Sequence, residues 1–128
     1  MLAAAVIAAE GVSFVLVGSA ALWLHGEPIS ISDTDLVPEP SEPNLHRLHE
    51  ALTHMAFWPQ AVPPLWRLRL LDIASATTPY GKIDCLLERG RADWERLYRS
   101  SVMIPVADAP VRVAARADAW ALRRQFKE

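Results

Sequence analysis

The sequence predicts an α/β domain in which a mixed β-sheet carries helices mainly on one face. Short apolar runs typical of buried strands alternate along the chain with segments whose apolar residues recur at helical spacing. A turn signal at residues 78–81 separates two strand-like segments, which we expect to pair as antiparallel neighbours. At 128 residues, of which 52% are hydrophobic, the chain is long enough for one core, so we expect a single domain over residues 1–128.

The first part of the chain is predicted to alternate between helices and strands. Residues 2–10 are rich in alanine and favour a helix, whereas residues 13–17 form an apolar run typical of a buried strand. A helix over residues 20–25 and a strand over residues 31–37 follow. The next segment has a serine in the N-cap position and apolar residues at three- and four-residue steps, so a helix is predicted over residues 41–55.

The second part of the chain is predicted to contain two pairs of strands and two helices. Residues 65–76 alternate between apolar and basic side chains at their start, which predicts one long strand, and residues 82–88 are predicted to return beside it. The remaining predicted elements are a helix over residues 92–100, short strands over residues 102–106 and 111–114, and a closing helix over residues 115–127.

Residues 2–24 are nearly all apolar and could be taken for a membrane span or a signal peptide. Glu10 interrupts the run, glycine and serine punctuate it, and no basic residue precedes it, so we interpret it as helix, strand and helix of a soluble core. Cys85 is the only cysteine, which excludes a disulfide framework and a zinc cluster and makes a cytoplasmic location the simplest expectation.

The charges are distributed unevenly along the chain. Residues 1–46 carry six acids and no Lys or Arg, whereas the rest carries thirteen bases and nine acids. Eleven of the thirteen bases are arginine, whose guanidinium suits contact with phosphate. An acidic metal site opposite an arginine-bearing second half fits a nucleotide enzyme, although most individual arginines are expected to lie on ordinary solvated faces.

An acidic pair, Asp33 and Asp35, lies in the strand-like stretch at residues 31–37. Side chains two residues apart in a strand project from the same face, so both carboxylates are predicted to point at one place. Two such carboxylates repel each other unless a cation lies between them, and magnesium accepts oxygen ligands of this kind. The alternative is a pair of solvated loop aspartates.

Asp84 is a single acid in another apolar stretch, residues 82–88. If its strand lies beside that of Asp33 and Asp35, a third carboxylate joins the site, and three carboxylates can hold two magnesium ions for phosphoryl transfer. The alternative is that Asp84 pairs with Lys82 or with an arginine.

Gly18 and Ser19 stand where the first predicted strand passes into a helix. Backbone N–H groups at the start of a helix can bind phosphate, and glycine allows the phosphate to approach the backbone. Ser19 is expected either to cap the helix or to donate its hydroxyl to a phosphate oxygen.

Together these residues resemble the nucleotidyltransferase superfamily, which has the polymerase-beta-like fold, and in particular its small bacterial members of the abortive-infection and minimal types. The matching motifs are Val17-Gly18-Ser19, Asp33-Thr34-Asp35 and Ile83-Asp84, and the closing segment at residues 111–124 is similar as well. The stretch at residues 29–32 departs from these relatives, which often have arginine and threonine before the acidic pair.

The resemblance implies transfer of a nucleoside monophosphate from a nucleoside triphosphate (NTP) to an acceptor hydroxyl on RNA, protein or a small molecule. Asp33, Asp35 and Asp84 would be the catalytic residues and the ligands of Mg²⁺ or Mn²⁺, and Asp84 would help to deprotonate the acceptor. Gly18, Ser19 and Arg123 would hold the phosphates of the NTP. The small relatives also suggest a component of a toxin–antitoxin pair, acting as a homodimer or with a cognate partner protein.

Two other functions fit the same residues. The first is a catalytically weak binding module of the same fold that acts as a partner or antitoxin-like subunit, for which exposed members of the five tryptophans would supply an interface. The second is a metal-dependent phosphoesterase that uses the same three acids.

Overall fold

A single six-stranded mixed sheet organises the computed structural model, which describes residues 1–127, with side chains described for residues 1–124. The strands are β1 (Phe14–Val17), β2 (Thr34–Pro38), β3 (Ile73–Thr78), β4 (Gly81–Leu86), β5 (Val102–Val106) and β6 (Ala109–Val113). The helices are α1 (Leu2–Ala9), α2 (Gly18–Leu24), α3 (Glu42–Met55), α4 (Leu65–Leu68), α5 (Leu87–Ser100) and α6 (Arg116–Lys127). A short 3-10 helix, Pro59–Ala61, lies between α3 and α4.

The strand order across the sheet is β3-β4-β2-β1-β6-β5. β1 pairs with β2 antiparallel and with β6 parallel, and β4 pairs with β2 parallel and with β3 antiparallel. β5 completes the sheet as the antiparallel neighbour of β6. The sheet is therefore mixed, with β2 and β1 at its centre and β3 and β5 at its edges.

One face of the sheet is buried across almost its full width, whereas the other is buried only at its centre. On the first face the apolar residues of five strands are buried: Leu16, Leu36, Ala74, Ala76, Ile83, Cys85, Val111 and Val113. On the second face Val15 and Val37 are buried at the centre, but Ser75 and Thr77 of β3 are exposed. The six-stranded mixed sheet with its helices confirms the predicted α/β class.

The central part of the second face is covered by α5. Gly90 of this helix lies so close to β2 that a Cβ atom at position 90 would overlap the carbonyl oxygen of Pro38 and contact the side chain of Val37. The glycine therefore sets the distance between helix and sheet, because any larger residue would push the two apart.

Most of the predicted elements are present, but the strand predicted over residues 65–76 is wrong. Residues 65–68 form the short helix α4, and only the second part of the segment is the strand β3. The alternation of apolar and basic residues was misleading, since Trp66 and Leu70 are both exposed and Leu68 is the buried side chain of α4. Pro63 and Pro64 directly precede α4, and Pro64 is its N-cap, which starts a helix rather than a strand.

The strand predicted over residues 31–37 begins later than expected. β2 starts at Thr34, and the two residues before the bend at Asp33, Ile31 and Ser32, are exposed. The helix predicted over residues 92–100 begins earlier, because α5 starts directly after β4. Over residues 1–127, the structure contains no helix that is both long enough and apolar enough to cross a membrane.

Replacing Gly90 with alanine is expected to destabilise the fold. Overpacking against the Pro38 carbonyl should cost about 2–3 kcal/mol, which exceeds the roughly 1 kcal/mol gained from the better helix propensity of alanine. Urea denaturation measures the net loss, and Ala92→Gly, at an exposed position of the same helix, measures the propensity effect alone. A Gly90→Ala protein more stable than the unaltered one would contradict the close contact of α5 with β2.

Candidate functional site

Two of the predicted acids are direct neighbours in the sheet. Asp35 of β2 and Asp84 of β4 are register partners in adjacent parallel strands, so they project from the same face with their Cα atoms about 4.8 Å apart. The side chain of Asp84 is only 17% exposed. Asp33 lies in the bend before β2, and its side chain is 43% exposed. The two members of the acidic pair are thus held differently, one by the strand and one by the bend that leads into it.

A lysine lies between two of the carboxylates. The ammonium group of Lys82 is 3.7 Å from Oδ1 of Asp84 and 4.0 Å from Oδ2 of Asp33. The same oxygen of Asp84 accepts a hydrogen bond of 2.5 Å from the hydroxyl of Ser75, its cross-strand neighbour on β3. The alternative considered for Asp84, a partnership with Lys82, is therefore present in the structure, and it includes Asp33 as well.

Gly18 brings the start of α2 directly against the acidic strand. Val17, the last residue of β1, is the register partner of Asp35, and Gly18 follows with φ of 72°, a conformation that favours glycine. A Cβ atom at position 18 would overlap the carboxylate of Asp35. The backbone at residue 18 and this carboxylate are therefore in contact across the site.

Ser19 does not cap α2, in contrast to one of its two predicted roles. The N-cap of this helix is Val17, and no side chain makes a capping hydrogen bond there. The hydroxyl oxygen of Ser19, which is buried, instead accepts a hydrogen bond of 3.1 Å from the backbone N–H of Ser32. This bond ties the start of α2 to the segment before the acidic pair. The Ser19 hydroxyl also lies 3.5 Å from the hydroxyl of Ser32, so its proton can be donated to that oxygen or to another acceptor in the cavity.

All six predicted site residues line one cavity of about 390 Å³. The remaining polar lining residues are Ser32, Ser75 and Lys82, and the apolar ones are Val17, Ile73, Leu86 and Leu122. A cavity of this size lies within the range of small-molecule sites. Carboxylates, a lysine, an arginine and small polar groups on its wall suit a ligand that carries both phosphates and a metal ion.

Arg123 reaches this cavity from α6, which is attached to the end of α2. Nε2 of His25 donates a hydrogen bond of 2.8 Å to the carbonyl of Ala114, just before α6. Arg116, the first residue of α6, forms an ion pair with Glu27, which follows α2. These two contacts fix the start of α6, and the helix then carries Arg123 about one and a half to two turns further, to the cavity wall.

The ligand set suits a magnesium ion that is completed by a substrate. Among residues 1–127, no group of three or more Asp, Glu, His or Cys side chains is placed to hold a metal ion. Magnesium, however, commonly uses one or two carboxylates together with substrate phosphates and water, and the neighbouring Asp35 and Asp84 beside an open cavity match that set. A cage of three carboxylates that includes Asp33 stays a prediction.

Two polar residues of the cavity, Ser32 and Ser75, were not assigned a role from the sequence, and Lys82 was named only as an alternative partner of Asp84. Ser75 could have been found, because the predicted turn at residues 78–81 sets the register of the β3–β4 hairpin and thereby places Ser75 opposite Asp84. The place of Lys82 on the cavity wall could also have been predicted, since it lies two residues before Asp84 in the same strand. Ser32 gives no signal in the sequence, because its position depends on the contact with Ser19.

The comparisons with known proteins concern the fold. No family model and no curated protein matches the sequence. Among solved structures, a proposed nucleotidyltransferase from Thermotoga maritima is similar, with a TM-score of 0.61 and 12% sequence identity, over 91% of this chain and 74% of that chain. At this level of identity the likeness concerns the fold alone, and it shows that the chain has a nucleotidyltransferase-like fold.

Gly18→Ala is expected to destabilise the protein and to disturb Asp35. Alanine at a positive φ costs about 1–2 kcal/mol, and the overlap of its Cβ with the carboxylate adds to this cost. Urea denaturation of Gly18→Ala, Asp35→Ala and the double variant tests the contact, because truncating Asp35 removes the overlapping carboxylate. We expect a coupling free energy of roughly 1 kcal/mol, and strictly additive losses would contradict the contact.

Cys85 is expected to be unreactive in the folded protein. It is fully buried, and burial, together with the charges of Asp84 and Asp35, raises the pKa of its thiol well above the ordinary value of 9.0. The thiol therefore stays protonated at neutral pH, and it should react with a disulfide reagent only after unfolding. A Cys85→Ala, Ser100→Cys protein, with its thiol at an exposed position, should react at once.

The same pKa shift predicts the dependence of stability on pH. Because the folded-state pKa of Cys85 is raised, its neutral thiol contributes fully to the free energy of unfolding below pH 9.0. This contribution is lost progressively as the pH rises above that value. Cys85→Ala should remove this part of the alkaline loss, which thermal denaturation at increasing pH would measure. Identical alkaline slopes in the two proteins would contradict it.

Proposed function

We propose that this protein is a divalent-metal-dependent nucleotidyltransferase, which moves a nucleoside monophosphate from an NTP to an acceptor hydroxyl. The observation that carries the proposal is the convergence of Gly18, Asp35, Asp84 and Arg123, together with Ser19 and Asp33, on one cavity. These residues come from β1–α2, β2, β4 and α6, which are separated in the sequence. The fold likeness to a proposed nucleotidyltransferase supports the same conclusion.

The phosphates of the NTP would lie against the start of α2. Gly18 allows a close approach to the backbone, and the hydroxyl proton of Ser19 can be donated to a phosphate oxygen. Arg123 lines the same cavity, where its guanidinium can form charge-assisted hydrogen bonds with them. The chain thus offers phosphate contacts on the side of the cavity next to the acids.

Asp35 and Asp84 would hold Mg²⁺ or Mn²⁺, and Asp33 would complete the site. When bound, the metal neutralises charge on the phosphates and on the attacking and leaving oxygens. The acceptor oxygen forms a bond to the α-phosphorus, and the bond from that phosphorus to pyrophosphate breaks. Asp84, whose side chain is less exposed than that of Asp33, would accept the hydroxyl proton of the acceptor. Most of the catalysis would come from positioning and charge neutralisation.

The acceptor would be RNA, protein or a small molecule, and the resemblance to small bacterial relatives favours a role in a toxin–antitoxin pair. The face of β3 next to the acids supports access for a large acceptor, since Ile73, Ser75 and Thr77 are exposed there. An acceptor that lies over this edge strand would reach Asp84 without entering a deep cleft.

A second candidate function is a binding module of the same fold with weak or no catalysis. It is favoured by an exposed aromatic group, Phe57, Trp58 and Trp66, whose relative exposures are 56%, 59% and 61%. Exposed aromatic side chains of this kind are enriched at protein interfaces. In this alternative the protein would act as a partner or antitoxin-like subunit.

Asp35→Asn and Asp84→Asn are expected to abolish binding of the magnesium–NTP complex and transfer of labelled nucleotide. Removing either carboxylate should lower transfer at least about 100-fold, because metal-assisted phosphoryl transfer depends on both. Calorimetry with each NTP measures binding, and incubation of each α-labelled NTP with total RNA and cell lysate measures transfer and identifies the acceptor class. Glu95→Gln, at an exposed site on α5, is the matched control.

The two candidate functions differ in the outcome of this experiment. If the unaltered protein binds no magnesium–NTP and transfers no label, the nucleotidyltransferase proposal is wrong and the binding module is favoured. If Asp84→Asn retains full transfer, the role assigned to its carboxylate is wrong.

A further inference from the structure

Lys82 places a fixed positive charge where the proposed function requires a metal ion. Its ammonium lies 3.7 Å from a carboxylate oxygen of Asp84 and 4.0 Å from one of Asp33. Lys82 and Asp84 project from the same face of β4, and that face also carries Asp35 on the neighbouring strand. The lysine thus lies between two of the acids, Asp33 and Asp84, and offsets part of their mutual repulsion.

The choice of lysine at this position is informative. Of the thirteen basic residues in the chain only two are lysine, Lys82 and Lys127. Arginine forms rigid bidentate pairs with carboxylates, whereas the lysine ammonium is a compact point charge on a flexible stem. A lysine ammonium can therefore leave the carboxylates easily, and since the side chain of Lys82 is 50% exposed, it has space in which to move.

The cavity offers Lys82 a second set of partners. Gly18, Ser19 and Arg123, the residues proposed to contact phosphate, line the same cavity as Lys82. The four-carbon stem of lysine lets the ammonium move by several ångströms without any change in the backbone. A phosphate group bound near Asp84 would therefore be within its reach.

We propose that Lys82 is an internal counter-ion, whose ammonium pairs with the carboxylates of Asp33 and Asp84 before the substrate binds. When the metal binds, the ammonium leaves the carboxylates and pairs with a phosphate of the NTP. This inference rests on the proposed function. It has a consequence for binding: the metal alone competes with Lys82, whereas the metal together with a polyphosphate gives Lys82 a new partner. Metal and nucleotide should therefore bind cooperatively.

Removing the charge of Lys82 is expected to change two affinities in opposite directions. In Lys82→Met, Mn²⁺ alone should bind about five- to tenfold more tightly, because an ammonium within 4.0 Å of two carboxylates no longer competes with it. At saturating Mg²⁺, inorganic tripolyphosphate should bind roughly tenfold more weakly, because one charge-assisted contact is lost. If Lys82 only stabilised the fold, replacing it would not strengthen the binding of Mn²⁺ and at the same time weaken the binding of tripolyphosphate.

The experiment measures Mn²⁺ binding by electron paramagnetic resonance and tripolyphosphate binding by calorimetry, both at constant pH and without any assay of activity. Tripolyphosphate is used because it reports the phosphate contacts whichever base the site selects. Lys82→Gln repeats the loss of charge with a different side chain, and urea denaturation verifies that each variant is folded. Arg99→Met, on an exposed part of α5, removes one positive charge away from the site and should leave both affinities unchanged.

The outcomes separate this inference from the proposed function. Tighter Mn²⁺ binding together with weaker tripolyphosphate binding in both Lys82 variants supports the inference. If the unaltered protein binds Mn²⁺ but the variants show any other combination, the inference is overturned and the proposed function stands. If the unaltered protein binds neither Mn²⁺ nor magnesium tripolyphosphate, both are overturned.

Discussion

The parallel pairing of β2 with β4 determines where the charge of the site can lie. Asp35 and Asp84 are neighbours because Leu36 pairs with Cys85 in the same register, and both of these side chains are completely buried on the opposite face. A shift of one residue would move Asp84 into the core and Cys85 to the cavity. The burial of apolar residues on one face of the sheet therefore fixes the positions of the carboxylates on the other.

This arrangement is costly for the carboxylates, and the neighbouring residues reduce the cost. A partly buried acid next to another acid is unfavourable unless it has hydrogen-bond donors or an opposite charge. Asp84 obtains both, from the hydroxyl of Ser75 and the ammonium of Lys82, while Asp35 lies against the backbone at Gly18. These contacts require the register of the β3–β4 hairpin, the order of the strands and the glycine at position 18. The site therefore depends on the whole sheet and not on one motif.

The sequence was most informative where local pattern and tertiary burial agree. The turn at residues 78–81, the helix that follows Ser41 and the apolar frame around Asp84 all predicted their elements, because turn chemistry and periodicity act locally. The pattern failed at residues 65–68, where an exposed Trp66 looked like a core residue and two prolines started a helix. It could not predict the hydrogen bond of Ser19, whose hydroxyl accepts from the Ser32 N–H only once the loop before β2 is folded. That contact depends on tertiary structure and has no signature in the sequence.

The likeness of fold does not by itself decide between an enzyme and a binding module, since one fold can serve many functions. The case for an enzyme depends on the free energy by which the close carboxylates destabilise the fold. A module that used the exposed aromatic residues Phe57, Trp58 and Trp66 would have no need to hold Asp35 beside Asp84 or to bring Gly18 against a carboxylate. Replacing either acid with a neutral side chain would remove the repulsion between them. Close carboxylates, a glycine with positive φ and a half-exposed lysine in one cavity are more readily explained by a ligand that carries positive charge and phosphate together.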